Sequence, residues 1–108
     1  MTRLLQQEYE RRRSVLEHAM HELPAGVVWQ SDAVSAAEGG ELLDDLERMV
    51  ELCKALDIQA DDFIAACRWH LNHHAHFHAR QAHFASYEQY VSDCKGPLRV
   101  PLAPRLQV

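Results

Sequence analysis

Residues 61–95 read DDFIAACRWHLNHHAHFHARQAHFASYEQYVSDCK, and neither glycine nor proline occurs between Glu41 and Lys95. With the usual helix breakers missing, the spacing predicts one long helix from about 60 to about 93. Asp61 and Asp62 fall in its first turn, where carboxylates suit the unpaired amides, and Gly96 with Pro97 supplies the stop. At 1.5 Å per residue such a rod is about 50 Å long, whereas a compact chain of this size has a radius of gyration near ~13 Å. The rod is therefore expected to overhang the body that carries it.

Advancing about 100° per residue divides this helix into two faces. Phe63, Ile64, Cys67, Leu71, Ala75, Ala82 and Ala85 share one side with His70, His74 and His78, which reads as the side turned toward the chain's own core. The opposite side carries Trp69, His76, His83 and Tyr90 at steps of seven, with Arg80 and Tyr87 between them. Aromatic, histidine and arginine side chains with few aliphatics have the composition of a protein interface. Trp69, His76, Arg80, His83, Tyr87 and Tyr90 are thus the expected partner-binding residues. The spacing is also self-complementary. Two such helices crossing antiparallel near Ala79 would bring Trp69 to Tyr90 of the mate and His76 to His83, so a homodimer is expected.

Working outward, Leu5, Tyr9, Leu16, Met20 and Leu23 make residues 3–23 an amphipathic helix. Residues 24–40, PAGVVWQSDAVSAAEGG, read as a loop in which Val27, Val28 and Trp29 plug the core. Leu42, Leu43, Leu46, Met49, Val50, Cys53 and Leu56 form the apolar stripe of a helix over 41–56. Beyond the long helix, three prolines in PLRVPLAPRLQV predict an extended tail over 96–108. The fold class is all-α, a single three-helix domain spanning 1–108.

Composition narrows the functions. The chain has 108 residues, 47% of them hydrophobic, and a formal charge of −5. Residues 31–62 hold ten acids against Arg48 and Lys54. The dense basic run, Arg11 to Arg13, is interleaved with Glu8, Glu10 and Glu17 and reads as a solvated helix face. Direct nucleic-acid binding, which needs a clustered cationic surface, is not expected. No run approaches the ~20 apolar residues of a membrane span, and three cysteines without CxxC spacing read as reduced thiols. A cytoplasmic protein without membrane attachment is the expectation.

Six histidines lie between positions 69 and 84. Imidazoles at i and i+4 project to one side of a helix, as in His70/His74 and His74/His78, so these three are the candidate ligands of an alternative zinc-, copper- or nickel-binding reading. His18, His21 or Cys67 would have to complete the site, because His70 and His78 are about 12 Å apart along the axis. The leading reading has no cofactor and no metal, and treats the histidines as packed or interfacial. Cys94 and Cys67 are conceivable nucleophiles, yet no base and orienting carboxylate are placed beside them, so no enzymatic activity is expected.

Two segments, the leucine stripe ELLDDLERMVELCKAL and the long helix DDFIAACRWHLNHHAHFHARQAHFASYEQYV, give the chain an architecture that resembles the small helical antiactivators of bacterial quorum sensing. That resemblance covers about half the chain and implies a protein that sequesters a LuxR-type transcription regulator; type III secretion chaperones and anti-sigma factors share the same size and helical balance. It assigns no role to any residue. The expected function is a non-enzymatic protein-binding regulator.

Overall fold

The structure, a computed structural model, describes residues 2–22 and 32–106, with the side chains of residues 21, 22, 32–39, 74, 75, 78 and 81 outside that description. Among the described residues the regular structure is all helical, without strands. α1 spans Thr2–Glu22, α2 Asp32–Leu56, α3 Asp61–Arg80 and α4 Tyr87–Asp93, with a single 3-10 turn at Gln81–His83 between α3 and α4. α2 packs along both α1 and α3, which barely meet each other. The core is Tyr9, Leu16 and Met20 from α1, Leu46, Met49 and Leu52 from α2, and Phe63, Cys67 and Leu71 from α3. Tyr9, Leu16, Met20, Leu46, Met49, Phe63, Cys67 and Leu71 are all residues that helical periodicity places inside.

Charge closes the α1/α2 seam. Arg48 grips Glu8 through two bonds, Nε to Oε1 at 2.7 Å and Nη2 to Oε2 at 3.2 Å. Arg12 pairs with Asp45. The hydrogen bond from Arg48 holds the Glu8 carboxyl below its ordinary range, against an opposing effect of burial. The arginine run is therefore not a solvated face throughout. Arg12 bridges two helices, and Arg13 is buried beside Glu10, its Nη2 at 2.6 Å from Oε2.

Two boundaries differ from the sequence expectation. The second helix starts at Asp32 instead of residue 41, so the predicted loop over 24–40 is helical from its ninth residue and the Gly39–Gly40 pair lies inside a helix. Ala33, Ala36 and Ala37 upstream and the leucine stripe downstream carry the helix across a pair whose own propensity opposes it by about 1 kcal/mol each. Val27, Val28 and Trp29 lie outside the described residues. The second difference is the larger: the rod predicted over 60–93 is two helices. α3 stops at Arg80, the chain tightens through Gln81–His83, and α4 begins afresh at Tyr87.

A side-chain cap starts α4 without glycine or proline. Ser86, in extended conformation, accepts the Gln89 N–H at its Oγ (3.1 Å), and Gln89 Oε1 in turn accepts the Ala85 N–H (2.7 Å). The pair is a variant of the capping box, written in the sequence as Ser-Tyr-Glu-Gln, in which the glutamine reaches the amide one residue before the cap. α2 and α4 end alike. Asp57 and Lys95 take the left-handed conformation at φ 56° and 58°, and the following amides reach back five residues, Ile58 to Cys53 at 2.9 Å and Gly96 to Val91 at 2.8 Å. Both are Schellman closures.

A Cβ added at Gly40 would meet nothing within 4 Å. Gly40→Ala should therefore stabilise the fold by about 1 kcal/mol through helix propensity alone. Urea unfolding followed by circular dichroism checks this, with a higher midpoint at unchanged slope as the expected outcome.

Candidate functional site: the aromatic and histidine clasp

The break after Arg80 sends the chain back along α3, and the side chains predicted to face a partner meet one another. Tyr87 and Tyr90 are core residues, 4% and 5% exposed. Trp69 is half-buried and packed against the core. The Trp69–Tyr90 approach expected across a dimer is made within one chain, at 6.3 Å between ring centroids. A pattern self-complementary about Ala79 is satisfied here by one chain turning back just after that point. Of the six expected partner-binding residues, His76, Arg80 and His83 remain in solvent. Ala82 and Ala85, expected inside, are exposed.

His70 stands at the centre with no exposure. Its Nε2 lies 2.7 Å from the Pro97 carbonyl and its Nδ1 2.8 Å from the Tyr87 hydroxyl. A carbonyl only accepts, so Nε2 carries the proton and Nδ1 accepts from Tyr87, the pairing of a neutral imidazole. Burial pushes His70 below its ordinary pKa, which favours the same neutral form. Both ring nitrogens are thereby engaged, and His70 has no lone pair to offer a metal in this conformation. The alternative set His70, His74, His78 loses its first member, and the side chains of His74 and His78 lie outside the described residues. Among the described residues no group of three His, Cys, Asp or Glu side chains is placed to hold a metal ion.

His73, which periodicity assigned to neither face, repeats the arrangement one turn on. Its ring stacks on Trp69 at 4.0 Å with the planes 10° apart, and its Nδ1 lies 3.0 Å from the Tyr90 hydroxyl. Burial, followed by the neighbouring His76, lowers its pKa. The Tyr90 hydroxyl also meets the Cys94 side chain, and burial foremost keeps that phenol protonated. Phe77 and Phe84 close the cluster edge-on, at 5.0 Å from Tyr87 and 5.1 Å from Tyr90. A matching step of seventeen, His70 to Tyr87 and His73 to Tyr90, is the sequence signal for these bonds. It becomes meaningful only once the break at Ser86 is recognised.

The two remaining cysteines are inert by placement. Burial pushes the Cys67 thiol up to about 12 and also raises Cys53, so neither is a thiolate near neutrality. Gly96 matters for space more than for conformation. A Cβ there would stand 2.4 Å from two atoms of the Trp69 indole, so the backbone lies directly on the ring.

Two outcomes follow from the clasp. Gly96→Ala must displace the indole and should cost about 1–3 kcal/mol of stability, read by chemical unfolding and by a shift in tryptophan emission. His70 and His73 have folded-state pKa values below that of the unfolded chain, so their contribution is full above about pH 6.5 and declines as pH falls through that value toward the lowered ones. Unfolding midpoints at pH 7.5 and 5.5 should show the loss, and His73→Gln should flatten it. No protein-family model, curated protein or solved structure matches the chain, so its own geometry carries the functional reading.

Proposed function

We propose that the chain is a small, non-enzymatic protein-binding regulator that meets its partner through His76, Arg80 and His83. The observation that supports this is what remains outward once the clasp is made. His76 and Arg80 on α3 and His83 in the 3-10 turn after it stay in solvent, while Tyr87 and Tyr90 are buried and Phe77 and Phe84 pack against the core. A contact strip on a rigid base loses little side-chain freedom on binding. The buried, protonated thiols Cys53 and Cys67 also favour binding over chemistry.

Glu41, Asp44, Glu47 and Glu51 lie exposed along α2. An acidic stripe steers a basic partner, and the DNA-contacting face of a transcription regulator is basic. Together with the resemblance of the leucine stripe to quorum-sensing antiactivators, this favours sequestration of a LuxR-type regulator as the specific role. The reading does not use self-association through Trp69 and Tyr90, since those rings are spent within one chain.

Mixing the purified chain with a purified LuxR-type regulator bound to its operator tests the role. Release of the DNA is expected, with an Arg80→Glu, His83→Glu variant weaker by at least about tenfold, the scale of one or two lost charged contacts. A regulator that keeps its operator at saturating concentrations of the chain overturns the antiactivator role.

A further inference from the structure

The described part of the segment after α4 has no helix or strand, and it does not trail into solvent. Pro97 is half-buried, the chain bends at Leu98 and Arg99, and then a three-residue rhythm of burial sets in: Val100, Ala103 and Leu106 face inward, and every residue between them is exposed. Three residues per turn is the repeat of the polyproline II helix, whose backbone carries no internal hydrogen bonds and is therefore free to be read by a neighbour. Here it is read. The Tyr9 hydroxyl donates to the Pro104 carbonyl, Glu17 Oε1 accepts the Ala103 N–H at 3.2 Å, and His70 Nε2 donates to the Pro97 carbonyl at 2.7 Å.

These contacts come from α1 and α3, the two helices that barely meet, so the segment lies where they leave a gap. Tyr9, Arg13 and Glu17 follow at steps of four and line one side of α1. Arg13 Nη1 stands 4.0 Å from the same Glu17 oxygen that receives the Ala103 amide, and Arg13 Nε is buried with no acceptor. Ala103 is the deepest side chain of the segment at 4% exposure, whereas Leu102 beside it is 77% exposed. The site thus holds backbone carbonyls and an amide by fixed side chains, admits a small side chain at its deepest point, takes the aliphatics Val100 and Leu106 on either side of it, and leaves Leu98 and Leu102 outside.

We propose that this gap is a recognition site for an extended, proline-punctuated peptide in polyproline II form, and that residues 97–106 are its resident ligand, held in cis. A partner segment of the same chemistry, with a small or aliphatic residue at every third position, binds by displacing the tail. The tail acts as a built-in competitor. The proposal is independent of the regulator reading and of the strip at His76, Arg80 and His83.

The probe is a synthetic peptide of residues 97–106, titrated by fluorescence anisotropy into the full chain. A tethered tail presents itself at an effective concentration of order millimolar, so the peptide should bind the wild-type chain weakly. Ala103→Glu sets a carboxylate against Glu17 and should release the tail in cis. Binding of the peptide should then rise at least about tenfold, and Tyr9→Phe with Glu17→Gln in the same chain should abolish the gain. A folded Ala103→Glu chain that binds no more peptide than wild type overturns the proposal. Hydrogen exchange on the wild-type chain guards against a variant that fails to fold. The Ala103 amide should exchange through local opening, faster than the amides at the centres of α1 and α3, and Tyr9→Phe should accelerate it further. Exchange of Ala103 only with global unfolding shows a fixed structural strand and overturns the proposal equally.

Discussion

A histidine without solvent contact must find partners for both ring nitrogens inside the protein, and the C-terminal half of this molecule is arranged so that His70 does. One partner, the Tyr87 hydroxyl, opens α4, and the other, the Pro97 carbonyl, follows its end. Two bonds from one imidazole therefore set where α4 begins and where the chain goes after it. His73 and Tyr90 repeat the bond between helices, and the indole of Trp69 is fixed between the His73 ring and the Gly96 backbone. Removing one member leaves a buried polar atom unpartnered on the other side, which costs more than the bond itself contributes.

The helical class, the core of α1 and the stripe on α2 were legible because each rests on a period that burial enforces: Tyr9, Leu16, Met20, Leu46 and Met49 are placed as the spacing predicts. The junction between α3 and α4 was not legible from breakers, since it contains none. Its signal was a cap, Ser86 with Gln89, which competes with helix continuation only when burial of the following tyrosines rewards the turn. Gly39 and Gly40 mislead in the opposite direction, because flanking helix formers outweigh them. As for the site, Trp69, Tyr87 and Tyr90 of the second face are covered within the chain, whereas His76, Arg80 and His83 face solvent. What periodicity could not say was that the cover is the chain's own next helix.

The histidine-rich stretch divides accordingly. His70 and His73 are hydrogen-bonded structural groups held neutral by burial, whereas His76 and His83 face water. Residues of one type in one short stretch thus serve opposite ends, two closing the fold and two leaving it a polar surface. The thiols divide the same way, with Cys53 and Cys67 buried and Cys94 exposed beside Tyr90.

The threefold rhythm of the tail has a corollary. Because each residue turns the strand by about 120°, inserting or deleting one position between Val100 and Leu106 would rotate everything beyond it off the protein, while a change of three would restore the phase. On the proposed polyproline II form, the segment would depend on its length more than on its composition, since moving a proline among the outward positions keeps the phase and a single insertion does not.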